Sequence, residues 1–247
     1  MTSWIRGRLG SIAFRAVEQL LDPAQIEHYR AANAALGAQA GGPPRVVLIG
    51  DSLFEGWRGL EALAPPGFRF LNRGISGQTS GQMLLRFEDD VIALAPVAVV
   101  ILAGANDVRA VFGPPAAIGS AAKSRLARHV ATMADIADGR AVQVAVGTVP
   151  PVRSSPASAH RSAGRRDLGV ILEVNAWLRG FAAARAYPLI DFHAALVDDR
   201  GALSSRFTAD GLHPNAAGQD RMASALAPIL DRLIGVNGVI PAPPPGR

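Results

Sequence analysis

The sequence predicts a doubly wound α/β domain built on a parallel sheet, and three observations support this fold class. Short runs of residues are apolar at every position, which is typical of strands buried on both faces. Segments with helical spacing lie between these runs, so strand and helix alternate along the chain. The length of 247 residues fits one such domain, and 49% hydrophobic with 18% charged residues is enough apolar surface for a core.

The first 44 residues precede this alternating pattern and form a helical leader. Ile12–Leu21 has helical spacing and either packs on the domain or lies on a membrane surface. A second helix is predicted for Pro23–Leu36, with Asp22 as its N-cap and proline at its first position. Arginines interrupt the apolar stretch that a secretory signal requires, which favours a cytoplasmic protein.

The domain itself is expected over residues 45–235. Five apolar runs are predicted to be strands, and most of them end at a glycine or an aspartate: Val46–Ile49, Phe68–Leu71, Val97–Leu102, Ala141–Val146 and Tyr187–Ile190. Four segments with helical spacing complete the pattern: Thr79–Leu94, Ala117–Ala137, Gly169–Ala186 and Ala216–Ile234.

Two stretches of biased composition lie outside this pattern. Val152–Gly164 is rich in Ser, Ala, Pro and Arg and is predicted to be a mobile loop, which either contacts an anionic or sugar-bearing substrate or is simply solvated. Residues 236–247 form a proline-rich tail that cannot continue a helix or join a central strand.

Composition excludes several classes of protein. The chain has no cysteine, so disulfides, thiolate metal sites and cysteine nucleophiles are excluded, and no apolar stretch is long enough for a transmembrane helix. The net charge is +5, but 24 of the 25 basic residues are arginines spread along the chain. The densest cluster, Arg161, Arg165 and Arg166, has no aromatic residues beside it, which argues against nucleic-acid binding.

A candidate nucleophile follows the first predicted strand. In an open α/β sheet, ligands bind at the carboxyl ends of the strands, and Ser52 follows the Val46–Ile49 run, Gly50 and Asp51. If a helix begins here, its N-terminus and the local N–H groups can stabilise an oxyanion. The alternative is an ordinary N-cap serine, and the G-x-S-x-G signature of α/β-hydrolases is absent.

A serine nucleophile needs a base, and His213 is the best placed of the five histidines. It lies in a polar turn before the last helix, three residues after Asp210, so one loop can carry both side chains. The carboxylate can hold one ring nitrogen while the other faces the serine. The alternative is a helix-capping Asp and an exposed His; His193, which follows a strand, is a weaker candidate base.

Candidate oxyanion donors follow two other strands. Asn106 comes after the central apolar run, and its amide could donate to a developing oxyanion. Gly74 follows the second run, where a glycine lets a backbone N–H approach a ligand closely. Either residue could instead serve only as part of a turn.

Four sequence blocks together resemble the SGNH hydrolases, also called GDSL esterases and lipases. The blocks are Gly50-Asp51-Ser52-Leu53, Asn72 to Thr79 (NRGISGQT), Gly104-Ala105-Asn106-Asp107 and Asp210-Gly211-Leu212-His213-Pro214, in the order that the family shows. Many such sequences have Thr where this chain has Ala105, which removes a small hydroxyl contact. The sequence around the blocks is similar to that of the bacterial branch of the family related to platelet-activating-factor acetylhydrolases and carbohydrate O-acetylesterases.

The resemblance implies a flavodoxin-like three-layer α/β/α sandwich with a five-stranded parallel sheet. It implies that Ser52 is the nucleophile, that His213 is the general base and then acid, and that Asp210 orients His213. Ser52 and Gly74 through their N–H groups and Asn106 through its amide are then expected to form the oxyanion hole. No metal or cofactor is implied.

The sequence therefore predicts a serine esterase acting on a small-molecule ester, with an acetyl or other short acyl group favoured because no long apolar insertion is present. An acyltransferase, a thioesterase or a lysophospholipase would use the same residues, and a non-catalytic carbohydrate- or lipid-binding protein could share the fold. Whether the chain forms a homo-oligomer stays open.

Overall fold

The fold is known from a computed structural model, which describes residues 22, 24–37, 42–109, 115–153 and 166–235. Its centre is a sheet of five parallel strands in the order β2-β1-β3-β4-β5. The strands are β1 (Arg45–Gly50), β2 (Arg69–Gly74), β3 (Ala98–Leu102), β4 (Gln143–Gly147) and β5 (Leu189–Ile190). All five predicted strands are therefore confirmed, each displaced by a few residues at most.

The central strands are apolar at every position because both faces of the sheet are covered. Every residue of β3 is buried, and so is every residue of β1 after Arg45. The predicted α/β class with a parallel sheet is confirmed, and the helices complete an α/β/α sandwich.

The α-helices connect the strands and form the two outer layers. They are α1 (Arg30–Gly37), α2 (Ser52–Glu55), α3 (Ser80–Leu85), α4 (Phe87–Asp90), α5 (Pro115–Asp138), α6 (Leu168–Arg185), α7 (Phe192–Leu196) and α8 (Ala216–Ile234). Short 3-10 helices cover Leu60–Leu63 and Ile92–Leu94. Helices α3, α5 and α6 pack in one layer and α7 and α8 in the other, as right-handed crossovers require.

The predicted helix over Thr79–Leu94 is wrong as a single element. It divides into α3, α4 and a 3-10 turn, and the first break falls at Arg86. The Arg86 side chain is fully buried and donates to the Gln78 side chain (2.6 Å), the Arg73 carbonyl (2.8 Å) and Asp90 (2.9 Å). Apolar periodicity carries no information about a buried cation, so the break could not be predicted from spacing.

The predicted leader helix is shorter than expected. It begins at Arg30 rather than Pro23, and residues 24–29 form turns. These turns are tied to the domain, since the Gln78 side chain donates to the Ala24 carbonyl (2.7 Å) and the Tyr29 hydroxyl donates to the Gly74 carbonyl (2.5 Å). Tertiary hydrogen bonds have replaced the first turns of the helix.

Some expectations concern residues that the structure does not describe. The helix over Ile12–Leu21, the proline-rich tail and all but the first two residues of the Val152–Gly164 loop lie outside the described residues. None of the helices in the described ranges has the length and apolar character needed to cross a membrane.

Candidate active site

The site lies between β1 and β3, where the strand order of the sheet reverses. Strands β1 and β3 are neighbours, and the chain leaves β1 toward one edge of the sheet and β3 toward the other. Such a reversal opens a crevice at the carboxyl ends of the two strands. Ser52 follows β1 and Asn106 follows β3, so both lie at this crevice.

Ser52 is the first residue of α2 and is half-buried. The helix begins here because the buried Asp51 side chain caps it and accepts a hydrogen bond from the Leu53 N–H at 2.9 Å. Within the described part of the chain, the N–H of Ser52 has no hydrogen-bond partner. Ser52 therefore presents both a hydroxyl and a free N–H at a helix N-terminus.

The loop before α8 brings a histidine to this hydroxyl. The distance between Ser52 Oγ and His213 Nε2 is 3.0 Å, and that between His213 Nδ1 and Asp210 Oδ2 is 2.6 Å. Because the carboxylate accepts from Nδ1, that nitrogen carries the proton, and Nε2 is left to accept from the serine. The structure brings together the three residues that the sequence singled out, across a separation of 161 residues.

The other oxygen of Asp210 holds the loop in shape. Oδ1 accepts from the N–H groups of Leu212 (2.9 Å) and His213 (2.8 Å). Burial alone would raise the pKa of Asp210, but the hydrogen bonds from the His213 ring and from these two N–H groups outweigh it and lower the pKa to about 2. Asp210 is therefore ionised throughout the neutral range.

A glycine fixes how the loop packs. Gly211 has φ +83°, and a Cβ at this position would lie 2.2 Å from the carbonyl oxygen of Arg153. The N–H of Arg153 in turn donates to the Gly211 carbonyl at 2.8 Å. Only glycine allows this approach, which places Asp210 and His213 over the end of the sheet.

The amide of Asn106 is held by hydrogen bonds on both sides. Its Oδ1 accepts from Arg166 at 2.7 Å, and its Nδ2 donates to the Gln78 carbonyl (3.0 Å) and to Asp51 Oδ2 (3.3 Å). Both hydrogens of Nδ2 are engaged in this state. The longer bond, to Asp51, is the weaker of the two.

The N–H of Gly74 is also engaged. It donates to the side-chain oxygen of Asn72 at 2.9 Å, while the Gly74 carbonyl accepts from Tyr29. The role of Gly74 as an oxyanion donor stays a prediction, and it requires that the bond to Asn72 breaks. The same sequence block contains Gly77, whose N–H has no partner among the described residues and whose φ is +83°.

Asp51 and Asp107, the other two aspartates of the motif blocks, accept hydrogen bonds from backbone N–H and hydroxyl groups in this geometry. Burial raises the pKa of Asp51 to about 6, against the lowering effect of the bond from the Leu53 N–H. Burial also raises the pKa of Asp107, which accepts from the N–H (2.9 Å) and hydroxyl (2.5 Å) of Ser80 at the start of α3. Neither carboxylate has a hydrogen bond to Ser52 or His213.

Arg166 was missed as a site residue. The sequence placed it in an arginine cluster beside a solvated loop, but its side chain is buried and donates to the Ala105 carbonyl and to Asn106. Sequence spacing could not reveal this contact, because 60 residues separate Arg166 from Asn106.

None of the remaining described histidines has a hydrogen bond to Ser52. His129 is on α5 and contacts the Ser80 hydroxyl at 2.9 Å, and His28 precedes α1 and is exposed. His193, the weaker candidate base, is buried in α7; its Nε2 has no partner among the described residues, and burial lowers its pKa. His160 lies outside the described residues.

A small cavity of about 170 Å³ adjoins the serine, and it is lined by residues of α2, the Ser76 turn and the start of α8. Ser52, Gly56, Ser76, His213, Pro214 and Gln219 contribute to its walls. A larger cavity of about 490 Å³ lies between α1 and the edge strand β2 and contains none of the predicted donors or triad residues.

Comparisons with known proteins identify the family to which the chain belongs. The family model of the GDSL-like lipase/acylhydrolase family matches residues 48–221. A GDSL-like lipase structure from Bacteroides thetaiotaomicron is similar to the chain at 31% identity and a TM-score of 0.72, covering 85% of this chain and 98% of that one. No curated protein matches the chain.

More distant structures share the fold. A lipase/acylhydrolase from Enterococcus faecalis has 23% identity and a TM-score of 0.58, covering 76% of this chain and 96% of that one. The acetylxylan esterase Axe2 from Geobacillus stearothermophilus has 19% identity and a TM-score of 0.60, covering 77% and 95%. The family model spans well over half of the chain, so the protein belongs to the GDSL-like lipase/acylhydrolase family and is an ester hydrolase.

Proposed function

We propose that the protein is a serine esterase that hydrolyses short-chain acyl esters, acetyl esters above all, through an acyl-enzyme on Ser52. The observation that carries this proposal is the continuous chain of hydrogen bonds from Ser52 Oγ to His213 Nε2 (3.0 Å) and from His213 Nδ1 to Asp210 (2.6 Å). It contains a nucleophile, a base and an orienting carboxylate in the arrangement that acyl transfer needs.

The reaction follows from these contacts. Ser52 Oγ attacks the ester carbonyl while His213 Nε2 takes its proton, and the ionised Asp210 stabilises the imidazolium. The tetrahedral intermediate expels the alcohol, which receives the proton from His213. Water, deprotonated by His213, then attacks the acyl-enzyme, and the second tetrahedral intermediate releases the acid as His213 returns the proton to Ser52 Oγ.

The oxyanion needs hydrogen-bond donors near Ser52, and the three proposed donors differ in whether their N–H groups are already engaged. The N–H of Ser52 is free, whereas Asn106 must exchange its 3.3 Å bond to Asp51 for one to the oxyanion. Gly74 contributes if Asn72 releases its N–H. One such donor is worth about 2.7–4 kcal/mol in the transition state.

The size of the cavity supports a short acyl group. At about 170 Å³ it is smaller than the roughly 300–1,000 Å³ that drug-sized ligands occupy. Its wall includes the Ser76 hydroxyl, which donates to the Glu55 carboxylate, and Gln219, whose side chain donates to the Gly56 carbonyl. A long alkyl chain would lie against these polar groups or extend into solvent.

The test is a rate profile over p-nitrophenyl esters from C2 to C12, together with Ser52→Ala. We expect the rate to be highest at C2 to C4, and kcat to fall by several orders of magnitude in Ser52→Ala. The matched control is Ser224→Ala, which removes an exposed hydroxyl on α8 and should leave kcat unchanged. A maximum at C10 or longer contradicts the short-acyl proposal, and activity above about a tenth of wild type in Ser52→Ala contradicts the nucleophile.

Product analysis separates hydrolysis from the other reactions of the same residues. With an alcohol acceptor present, free acid is the expected product, and a new ester would instead indicate acyl transfer. Labelling by a fluorophosphonate that depends on Ser52 supports an enzyme over a non-catalytic binding protein.

A further inference from the structure

The hydrogen bonds around Asn106 fix the orientation of its side-chain amide. The carbonyl oxygen accepts from a guanidinium, and the nitrogen donates to a carbonyl and a carboxylate. If the amide were flipped, its N–H₂ would face the Arg166 donor and its oxygen would face two acceptors. Every partner thus favours the same orientation.

Arg166 holds both the side chain and the backbone at this point. Its Nη2 donates to Asn106 Oδ1 (2.7 Å) and its Nε donates to the carbonyl of the preceding residue, Ala105. The side chain is only 6% exposed, so these bonds lie in a poorly solvated region where they are strong. Arg166 lies two residues before α6, and its rigid guanidinium therefore links the start of this helix to the segment that follows β3. The two segments are 60 residues apart in the sequence.

We propose that Arg166 is a positioning residue for the oxyanion hole, which holds the Asn106 amide with its N–H₂ toward Asp51, the residue before Ser52, and polarises it. This inference rests on the proposed function. A cation bonded to the amide oxygen withdraws electrons from the nitrogen, which makes the N–H a stronger donor. The positive charge also compensates the buried Asp51, the carboxylate that competes with the oxyanion for Nδ2.

A merely structural role for Arg166 makes a different prediction. If it only ties the start of α6 to the domain, its loss would lower stability, and the activity of the folded enzyme would be unaffected. If it positions Asn106, its loss would lower kcat with little change in KM, because the donor acts on the transition state. The effect would also require Asn106 to be present.

The experiment is a double-mutant cycle of Arg166→Met with Asn106→Ala, measured on a short p-nitrophenyl ester. Methionine keeps much of the length of the side chain and removes all of its donors. We expect Arg166→Met to lower kcat by about tenfold to a hundredfold with KM within about twofold, the loss expected for a hydrogen bond to a charged group. In the Asn106→Ala background, the same substitution should change kcat by less than about twofold.

Matched variants guard against unfolding and general effects. Arg185→Met removes an arginine from the other end of α6, where it pairs with Asp135, and should leave kcat at the wild-type value. Arg166→Lys keeps the charge without the fork and should recover part of the rate; it replaces Arg166→Met in the cycle if that variant does not fold. Circular dichroism and thermal unfolding establish that each variant is folded at the assay temperature.

The outcomes separate this inference from the proposed function. If Asn106→Ala lowers kcat and Arg166→Met does not, or if the two losses multiply, the positioning role is wrong. If Asn106→Ala itself retains the wild-type kcat, Asn106 is not an oxyanion donor and the proposed site fails at that point, whatever Arg166 does.

Discussion

Replacing Gly74 by alanine tests how closely β2 approaches the nucleophile's helix. A Cβ on Gly74 would lie 2.3 Å from the backbone nitrogen of Glu55 and 2.8 Å from the carbonyl oxygen of Asp51. Both are backbone atoms of the segment that carries Ser52, so no side-chain rotation relieves the contact. Contacts below 3.0 Å are essentially never seen for a Cβ, and the two backbones must separate by about 0.7 Å.

The expected cost has two parts. Overpacking of this kind destabilises a protein by about 1–3 kcal/mol, which for a chain of this size lowers Tm by roughly 2–12 °C. Misplacing a reacting group by up to 1 Å can cost about a hundredfold in rate, so kcat should fall by about tenfold to a hundredfold. Gly74→Ala keeps the backbone N–H, so the loss in rate reports displacement of Ser52 relative to Gly74 and not removal of a donor.

Gly180→Ala is the matched control. Gly180 lies inside α6, and a Cβ there would meet nothing within 4 Å. This substitution should stabilise the protein by about 0.5–1 kcal/mol through helix propensity and leave kcat unchanged. Thermal unfolding and initial rates on a C2 ester measure both variants. Wild-type Tm and kcat in Gly74→Ala would refute the argument that this glycine is required by the approach of α2.

Three further predictions concern the ionised and hydrogen-bonded groups. Asp210→Asn should lower Tm at pH 7. Because the pKa of Asp210 is lowered to about 2 in the folded protein, the difference in Tm between this variant and wild type should disappear as pH falls from about 4 to 2. For Asp51 the sign is opposite: its pKa is raised to about 6, so its contribution to stability should decrease as pH rises from about 4 to 6, and the pH dependence of unfolding should lose this component in Asp51→Asn. Tyr29→Phe leaves the Gly74 carbonyl without its 2.5 Å donor and should cost about 1 kcal/mol in urea-induced unfolding, where equal stability would show that water replaces the bond.

The layout of the sheet could be predicted because its strands are buried on both faces. Val46 to Ile49 are apolar at every position, and each of them is fully buried. The long helices α5, α6 and α8 could be predicted because their apolar faces repeat at the helical period. The region after Thr79 could not, because its conformation is set by the buried side chain of Arg86, and a pattern of apolar residues does not report which polar residues find partners inside.

The candidate site was predictable to the extent that it consists of short sequence blocks. Ser52 follows a predicted strand, Asp210 and His213 lie three residues apart in one polar turn, and the order of the blocks carries the family resemblance. Arg166 has no such signal, since it meets Asn106 only through the fold. The state of the Gly74 N–H was likewise hidden, because its partner, Asn72, lies two residues away on the same strand and could equally have faced solvent.

The buried polar residues behind the site have a geometric role that their contribution to stability does not explain. Arg86 and Asp90 form an ion pair with both side chains fully buried, and replacing such a pair with apolar residues is often neutral or stabilising. Yet Arg86 also donates to the carbonyls of Gly50 (3.2 Å), the last residue of β1, and of Arg73 (2.8 Å), the second-to-last residue of β2. A cation that binds both strand ends fixes the distance between the segment that carries Ser52 and the block that carries Gly74. Because catalytic groups must be held to within about 0.5 Å of their working positions, an apolar replacement could preserve the fold and still lower the rate.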